Sequence, residues 1–146
     1  MSTDAIRTVA SRLLQSLPPG VTLVAAAKGR TPDQIRSVLQ AGVRHIGHNY
    51  VQEAEVMRPL LPEPVQWHLI GHLQTNKARK AVELFDVIQT VDSLRLALEL
   101  DRRCARPGKV MPILIEVNSG REESKSGVLP ENLDENTEMG GKIIQV

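Results

Sequence analysis

The sequence predicts an α/β fold, a parallel (β/α) arrangement of the TIM-barrel type, incomplete, with about five βα units. Three observations predict it. Short aliphatic runs alternate with amphipathic helical segments, each changeover carries a Pro, Gly or N-cap residue, and the gap between successive runs has room for a helical crossover. A closed eight-stranded barrel normally needs on the order of 200 residues or more. This chain has 146.

Ile6, Val9, Ala10, Leu13, Leu14 and Leu17 recur at helical spacing, and Pro18-Pro19-Gly20 stops that helix. The apolar run 21–27 reads as the first strand and ends at Lys28-Gly29. Thr31-Pro32 supplies an N-cap and a proline at the first helical position, Ile35, Val38 and Leu39 form the inner face, and Gly42 closes the helix. The same grammar predicts a strand over 43–46 with a helix over 51–57, then a strand over 65–70 with a helix over 77–84. A fourth strand over 86–91 passes through an Asp92 or Ser93 cap into a helix over 94–105, and a fifth strand covers 110–117. One more helical start follows over 129–135. Residues 1–135 are therefore expected to form the partial barrel. Residues 136–146 depart from the pattern as a divergent tail, with Ile143-Ile144-Gln145-Val146 offering a short apolar strand.

Lysine plus arginine total 18 against 17 aspartate plus glutamate, so no large net field would draw the chain to nucleic acid or an anionic membrane. No apolar stretch reaches the length of a bilayer span, and Asp4 and Arg7 stand where a signal-peptide core would be, which points to a cytoplasmic protein. The single cysteine, Cys104, falls on a helical position and reads as packing.

Parallel strands gather the residues that follow them at one rim. Here those residues are Lys28, His48-Asn49, Gly71-His72, Asp92-Ser93 and Asn118-Ser119. A lysine at such a strand end can condense with an aldehyde, and partial burial would lower its pKa from about 10.4 toward the free base that attack needs. Local sequence by itself favours a solvated lysine ending a strand; the convergence of amides and hydroxyls around it favours a site. No pair of carboxylates sits at consecutive strand ends for acid and base work, so binding is better supported than turnover.

His45 with His48, and His68 with His72, invite comparison with a metal site. The second spacing would align two rings on a helix, but it crosses a strand end, and no cysteine cluster accompanies either pair. No metal is expected. No glycine-flanked serine or glycine-rich phosphate loop appears. The stretch Trp67-His68-Leu69-Ile70-Gly71 followed by Leu73-Gln74-Thr75-Asn76-Lys77 crowds hydrogen-bonding side chains into a strand exit. Gln74, Asn76 and Lys77 can orient a ligand there; equally, Asn76 can cap the next helix and Gly71 can permit a tight turn. The polar loop 118–127 is either a solvated connection or a source of positive charge, from Arg121 and Lys125, for an anionic ligand.

Taken together, Ala27-Lys28, Gly47-His48-Asn49-Tyr50-Val51-Gln52-Glu53, the segment 67–77, and Glu116-Val117-Asn118 leading to Ser124-Lys125-Ser126-Gly127 resemble the single-domain pyridoxal phosphate homeostasis proteins, relatives of the N-terminal barrel of alanine racemase. The resemblance runs in order from about Ile6 to Glu135. It implies that Lys28 forms a reversible Schiff base with pyridoxal 5'-phosphate (PLP), that Asn49 lies beside the cofactor, and that His68, Asn76 and Lys77 belong to the cofactor-side rim, where Asn118, following the fifth strand, is also expected to contact the cofactor. It further implies that Lys125 stands near the pocket entrance. The implied role is intracellular cofactor homeostasis, with PLP-requiring apoenzymes as recipients.

Two departures accompany the resemblance. His48 stands where the family usually has glutamate, and the portion that in the family carries the last barrel strands, the phosphate-gripping serine and glycine backbone and an arginine near the pyridine nitrogen is missing. On this reading the chain is C-terminally truncated, and a second copy is expected to cover the open side of the barrel as a homodimer. An amino-acid racemase of the same family is the alternative, and would need a base on each cofactor face; Tyr50 is the one tyrosine. A degenerate fragment without cofactor is the other.

Overall fold

The computed structural model describes residues 1–61 and 64–133. Five parallel strands, β1 (Val24–Ala26), β2 (His45–His48), β3 (Gln66–Leu69), β4 (Val87–Val91) and β5 (Ile113–Ile115), lie side by side in sequence order. Helices α1 (Thr3–Ser16), α2 (Pro32–Gln40), α3 (Val51–Met57), α4 (Ala78–Leu84) and α5 (Leu94–Ala105) precede and connect them. This is the expected α/β class. Among the described residues β1 pairs only with β2 and β5 only with β4, so the sheet is not closed. The expected tail 136–146 and the end of the 129–135 segment lie outside the described residues; the described part of that segment is a 3₁₀ turn, Pro130–Asn132.

Local chemistry explains the elements. Thr31 and Gln34 form a reciprocal capping box at the start of α2, with Pro32 at the first turn. The Ser93 hydroxyl accepts from the Leu96 amide and starts α5, leaving Asp92 free for another partner. Two expectations change here. The 3₁₀ turn Thr75–Lys77 leads into α4 with no side-chain cap, so Asn76 does not cap that helix. In α1, Ala10 is buried while Val9 and Leu13 stay exposed, because a helix packed on a single neighbour buries a narrower stripe than its sequence offers.

Strand lengths follow pairing more than composition. The expected 21–27 strand contracts to Val24–Ala26 because β2 begins opposite Val24. The expected 110–117 strand contracts to Ile113–Ile115: Pro112 has no amide to donate, and the β4 to β5 register is irregular between Ile88 and Val91. The second strand is displaced, 45–48 in place of 43–46, so His48 belongs to the strand and not to the rim loop.

The two sheet faces divide by period two. Ile46, Trp67, Leu69 and Ile88 turn toward the helices and pack with Ile35, Leu39, Ala54, Ala81, Leu96 and Leu100 into one core. Phe85, fully buried, closes it at the end of α4, and the buried Cys104 joins it. With almost no aromatic residues available, aliphatic side chains fill the interlayer space.

The C-terminal carbonyls of α4 receive unusual attention. The Lys109 ammonium donates to the Val82 carbonyl at 2.6 Å and the Phe85 carbonyl at 2.7 Å, and the Arg58 guanidinium donates to the Leu84 carbonyl. Orphan acceptors at a helix end are thereby satisfied by cations, where the helix dipole favours them. Burial pushes the Lys109 ammonium below its ordinary range, with Asp86 opposing. Replacing Lys109 by Met should cost about 1–3 kcal/mol, the scale of a charged hydrogen bond lost from buried carbonyls. Urea unfolding checks it; an unchanged midpoint would show that water serves those carbonyls equally well.

Candidate functional site

The rim at the C-terminal ends of the strands is built by the parallel register. Ala26 pairs with Gly47, Gly47 with His68, and His68 with Val87, so the residues just beyond emerge at one edge. Lys28 leaves β1 inside a tight turn in which the Arg30 amide donates to the Ala27 carbonyl at 3.0 Å. Gly29 has φ +67°, a conformation that favours glycine, and this holds the turn and the position of Lys28. The Lys28 ammonium lies 5.5 Å from the centroid of the Tyr50 ring and has no carboxylate partner among the described residues. Lys28 is exposed, whereas partial burial was expected; its turn lies beyond the last β1 pairing, and the described neighbours cover only one side of that strand.

Asn49 and Gly71 meet where the loops after β2 and β3 cross. A Cβ on Gly71 would lie 2.2 Å from the Asn49 carbonyl oxygen, so glycine is required for close approach, more than for the turn itself. The Ile70 amide donates to the His48 carbonyl and the Thr90 hydroxyl to the Gly71 carbonyl, fixing this crossing from both sides. The Asn49 side chain is half-buried and has no hydrogen-bond partner among the described residues. Beside it a cavity of about 330 Å³ is lined by Asn49, Tyr50, Gln52, His72, Gln74 and Lys77.

Asn118 and Lys125 sit in a self-contained loop after β5. The Asn118 amide group donates to the Glu122 carbonyl at 2.9 Å and accepts from the Glu122 amide, while Lys125 pairs with Glu122 at 2.6 Å. Arg121 pairs with Glu131 at 2.7 Å. The positive charge expected from Arg121 and Lys125 is therefore offset locally by carboxylates. Asn76 is exposed on its turn and does not line the cavity.

The histidines pair differently from their order in sequence. His45 and His48 point to opposite faces of β2, as alternation requires. On the open face His45 Nδ1 and His68 Nε2 are 2.9 Å apart, and His68 Nδ1 is 3.0 Å from the Gln89 amide nitrogen. With the Gln89 amide nitrogen donating, His68 Nδ1 accepts and its Nε2–H donates to His45 Nδ1. Both His68 nitrogens are thus occupied, and it supports the rim from within the sheet. This chain escaped sequence reasoning because its members are non-adjacent; the signal was a polar residue at alternate positions of three successive strands.

His48 faces the helices, fully buried and stacked on Trp67 with ring centroids 5.6 Å apart. Its Nδ1 is 3.5 Å from Glu53 Oε2, beyond a good hydrogen bond, and neither atom has another partner. A third cluster ties the rim loops together: His72 Nδ1 lies 3.1 Å from Asp92 Oδ2 and 3.2 Å from the Ser126 hydroxyl. Because both partners meet the same nitrogen, this is a positioning contact and not a nucleophile and base relay. Among the described residues no group of three metal-ligating side chains exists.

The family described as "Alanine racemase, N-terminal domain" matches residues 1–141. The chain is 38% identical over 138 residues to the pyridoxal phosphate homeostasis protein of Escherichia coli, covering 90% of this chain and 58% of that protein. It is 40% identical over 113 residues to the protein of the same description from Helicobacter pylori, covering 76% of this chain and 51% of the relative. The chain thus spans between half and three fifths of the length of these relatives. PipY of Synechococcus elongatus, solved with PLP bound, superposes with a TM-score of 0.81 at 36% identity, covering 92% of this chain and 65% of that one. The alanine racemase of Bartonella henselae, at 20% identity and a TM-score of 0.73, shares the fold.

Burial lowers the pKa of His48, with the nearby Glu53 opposing, and lowers that of His68, with His45 adding and Asp86 opposing. Each ring is neutral in the folded protein where the unfolded chain, with an ordinary value near 6.5, already binds a proton. Stability is then full above about pH 6.5 and is lost as the pH falls below it toward the depressed folded values. Urea midpoints measured between about pH 8 and pH 5 should fall on the acid side, and His68→Gln should flatten that slope. A midpoint independent of pH would refute the neutral assignment.

Proposed function

Because the chain belongs to the alanine racemase N-terminal domain family, we propose that it binds pyridoxal 5'-phosphate reversibly through Lys28 and serves intracellular cofactor homeostasis in the cytoplasm. The observation that carries the reading is the position of Lys28, an amine without a carboxylate partner, at the rim beside the Tyr50 ring. When bound, the cofactor supplies an aldehyde that condenses reversibly with a primary amine.

The residues present fit the aldehyde and ring of that group. Lys28 holds its amine where nothing acidic competes for it, Tyr50 offers an aromatic face 5.5 Å away, and the half-buried Asn49 amide has unsatisfied donors and acceptors. Gly71 keeps Asn49 in place by admitting its carbonyl where any Cβ would collide. His68 supports the rim from below through the His45 and Gln89 contacts. The fit is weaker for the phosphate, since Arg121 and Lys125 are already paired with Glu131 and Glu122. Asn76, Asn118 and Lys125 are assigned to the site by resemblance, and Lys77 by resemblance and by its place in the rim cavity.

Binding without catalysis is the expected mode, with the aldehyde passed from Lys28 to another amine, PLP-requiring apoenzymes being the recipients. Among the described residues no helix is long and apolar enough to cross a membrane. A second copy is proposed to pack over the open side of the sheet, where Leu114 and Val117 near β5 are exposed and the outer edges of β1 and β5 are unpaired among the described residues.

Adding PLP should produce a visible absorbance band from a covalent adduct, and borohydride reduction followed by peptide mapping should place the label on Lys28. Lys28→Ala should abolish band and label; retention of either at full intensity would refute the assignment. Sedimentation at micromolar concentration should give a dimer, and a well-folded monomer would remove the second-copy proposal.

A further inference from the structure

Among the described residues four buried side-chain polar atoms lack a hydrogen-bond partner, and three of them belong to one pair. They are both ring nitrogens of His48, a residue 1% exposed, and Glu53 Oε2. Leaving such groups unsatisfied costs folding free energy, so a pair of them facing each other calls for a reason.

The pair spans the turn between β2 and α3. His48 ends the strand, Glu53 lies in the first turn of the helix, and Asn49 and Tyr50 directly follow His48. Backbone bonds tie both arms to that turn. The His48 carbonyl accepts from the Ile70 amide at 2.9 Å, and the Glu53 amide donates to the Tyr50 carbonyl at 3.2 Å. Tyr50 is the N-cap of α3 and makes no side-chain cap bond, so the cap adds no restraint on how the turn enters the helix. The same turn sets Asn49 against Gly71 and the Tyr50 ring centroid 5.5 Å from the Lys28 ammonium. A movement of Glu53 is therefore passed to the side of the rim that Lys28 meets.

Protonation sets the length of this span. His48 Nδ1 and Glu53 Oε2 stand 3.5 Å apart, whereas a charge-assisted bond between an imidazolium and a carboxylate closes to about 2.8 Å. From β3 the Trp67 indole stacks on the ring, and α2 and α4 turn Ile35, Leu39, Ala81 and Val82 into the same core. Glu53, on α3, is the charged group that acts on His48: burial disfavours the protonated ring and Glu53 favours it.

We propose that His48 and Glu53 form a proton-linked bracket that positions Asn49 and Tyr50 at the rim, open with the neutral ring and closed with the protonated one. His48 is thus a positioning residue that acts through its neighbours. The proposal rests on the reading of Lys28 as the covalent anchor and adds that a ligand held by Asn49 and Tyr50 favours the closed bracket, which orders their turn. By linkage, loading then raises the proton affinity of His48 and draws one proton from solvent onto the imidazole. The sign follows: affinity rises as the pH falls through the interval between the loaded value of His48 and its depressed unloaded one.

Two measurements test the bracket separately from the anchor. In the cofactor-free protein, His48 ring resonances followed from about pH 8 to about pH 5 should titrate together with the backbone amides of Asn49, Tyr50 and Glu53. Glu53→Gln should lower the His48 midpoint and remove the shifts at Asn49 and Tyr50. Amides that stay still while the ring titrates, a ring that does not titrate over this interval, or a midpoint indifferent to Glu53→Gln each overturn the proposal. For PLP binding, the ratio of Kd at about pH 7.5 to Kd at about pH 6 should be at least about threefold larger in the unaltered protein than in His48→Gln. Titration of Lys28 and of the ligand enters both proteins alike and cancels in that comparison. Equal ratios, with affinity weakened by one factor at both pH values, show a merely structural role and overturn the proposal. Glu53→Gln, altered at the partly exposed partner, serves the same comparison where His48→Gln does not fold. Failure of Lys28 to form any adduct refutes the parent reading alone, since the resonance titration uses no cofactor.

Discussion

Parallel pairing of β2 with β3 places Ile46 beside Trp67 and Gly47 beside His68, and this one register decides what each face of the sheet can do. A slip of a single residue would turn Trp67 out of the core and bring His68 into it, exchanging apolar area for an unsatisfied ring. With the register held, the helix side is filled by Ile46, Trp67, Leu69 and Ile88, and the open side is left to His45, His68 and Gln89. The same pairing brings the loops after β2 and β3 into contact, so that Gly71 rests against the Asn49 carbonyl. The rim inherits its geometry from the core.

Stability and site are coupled through histidines that perform different work on the two faces. His68 is neutral because it donates through one nitrogen and accepts through the other, within a partly buried chain that has no room for a second proton. His48 is neutral because it is stacked against Trp67 in the core and reached only distantly by Glu53. The resemblance to the homeostasis proteins leads to glutamate at position 48, where the present structure places a side chain among apolar neighbours. A neutral ring stacked on an indole suits that setting better than a second carboxylate beside Glu53 would.

The site is asymmetric in its supply of charge. On the Tyr50 side Lys28 and Lys77 keep their charges unpaired, while on the β5 side Arg121 and Lys125 are neutralised by Glu131 and Glu122. Surface ion pairs of that kind contribute little to stability, so their main effect is to quiet the local field. An anion approaching the rim is therefore drawn toward β2 and β3. The relatives are longer than this chain, which covers 51% of the Helicobacter pylori protein and 58% of the Escherichia coli one.

Class and element order were legible in the linear sequence because helix and strand periodicity, the Thr31-Pro32 start and the glycine stops are local signals that survive folding; the helices Val51–Met57 and Leu94–Ala105 appear with the expected bounds. Lys28 at a strand exit and the Asn49, Gly71 and Lys77 neighbourhood were legible for the same reason, since parallel strands must deliver their following residues to one edge. Strand ends were not, because a strand extends only as far as its neighbour offers hydrogen bonds, which moved the second strand to His45–His48 and shortened the fifth to Ile113–Ile115. Partnerships were not either. Whether His68 meets His72 or His45, whether Lys125 faces a ligand or Glu122, and whether Lys28 is covered or open depends on groups distant in sequence, and distance along the chain carries no information about which of them arrive.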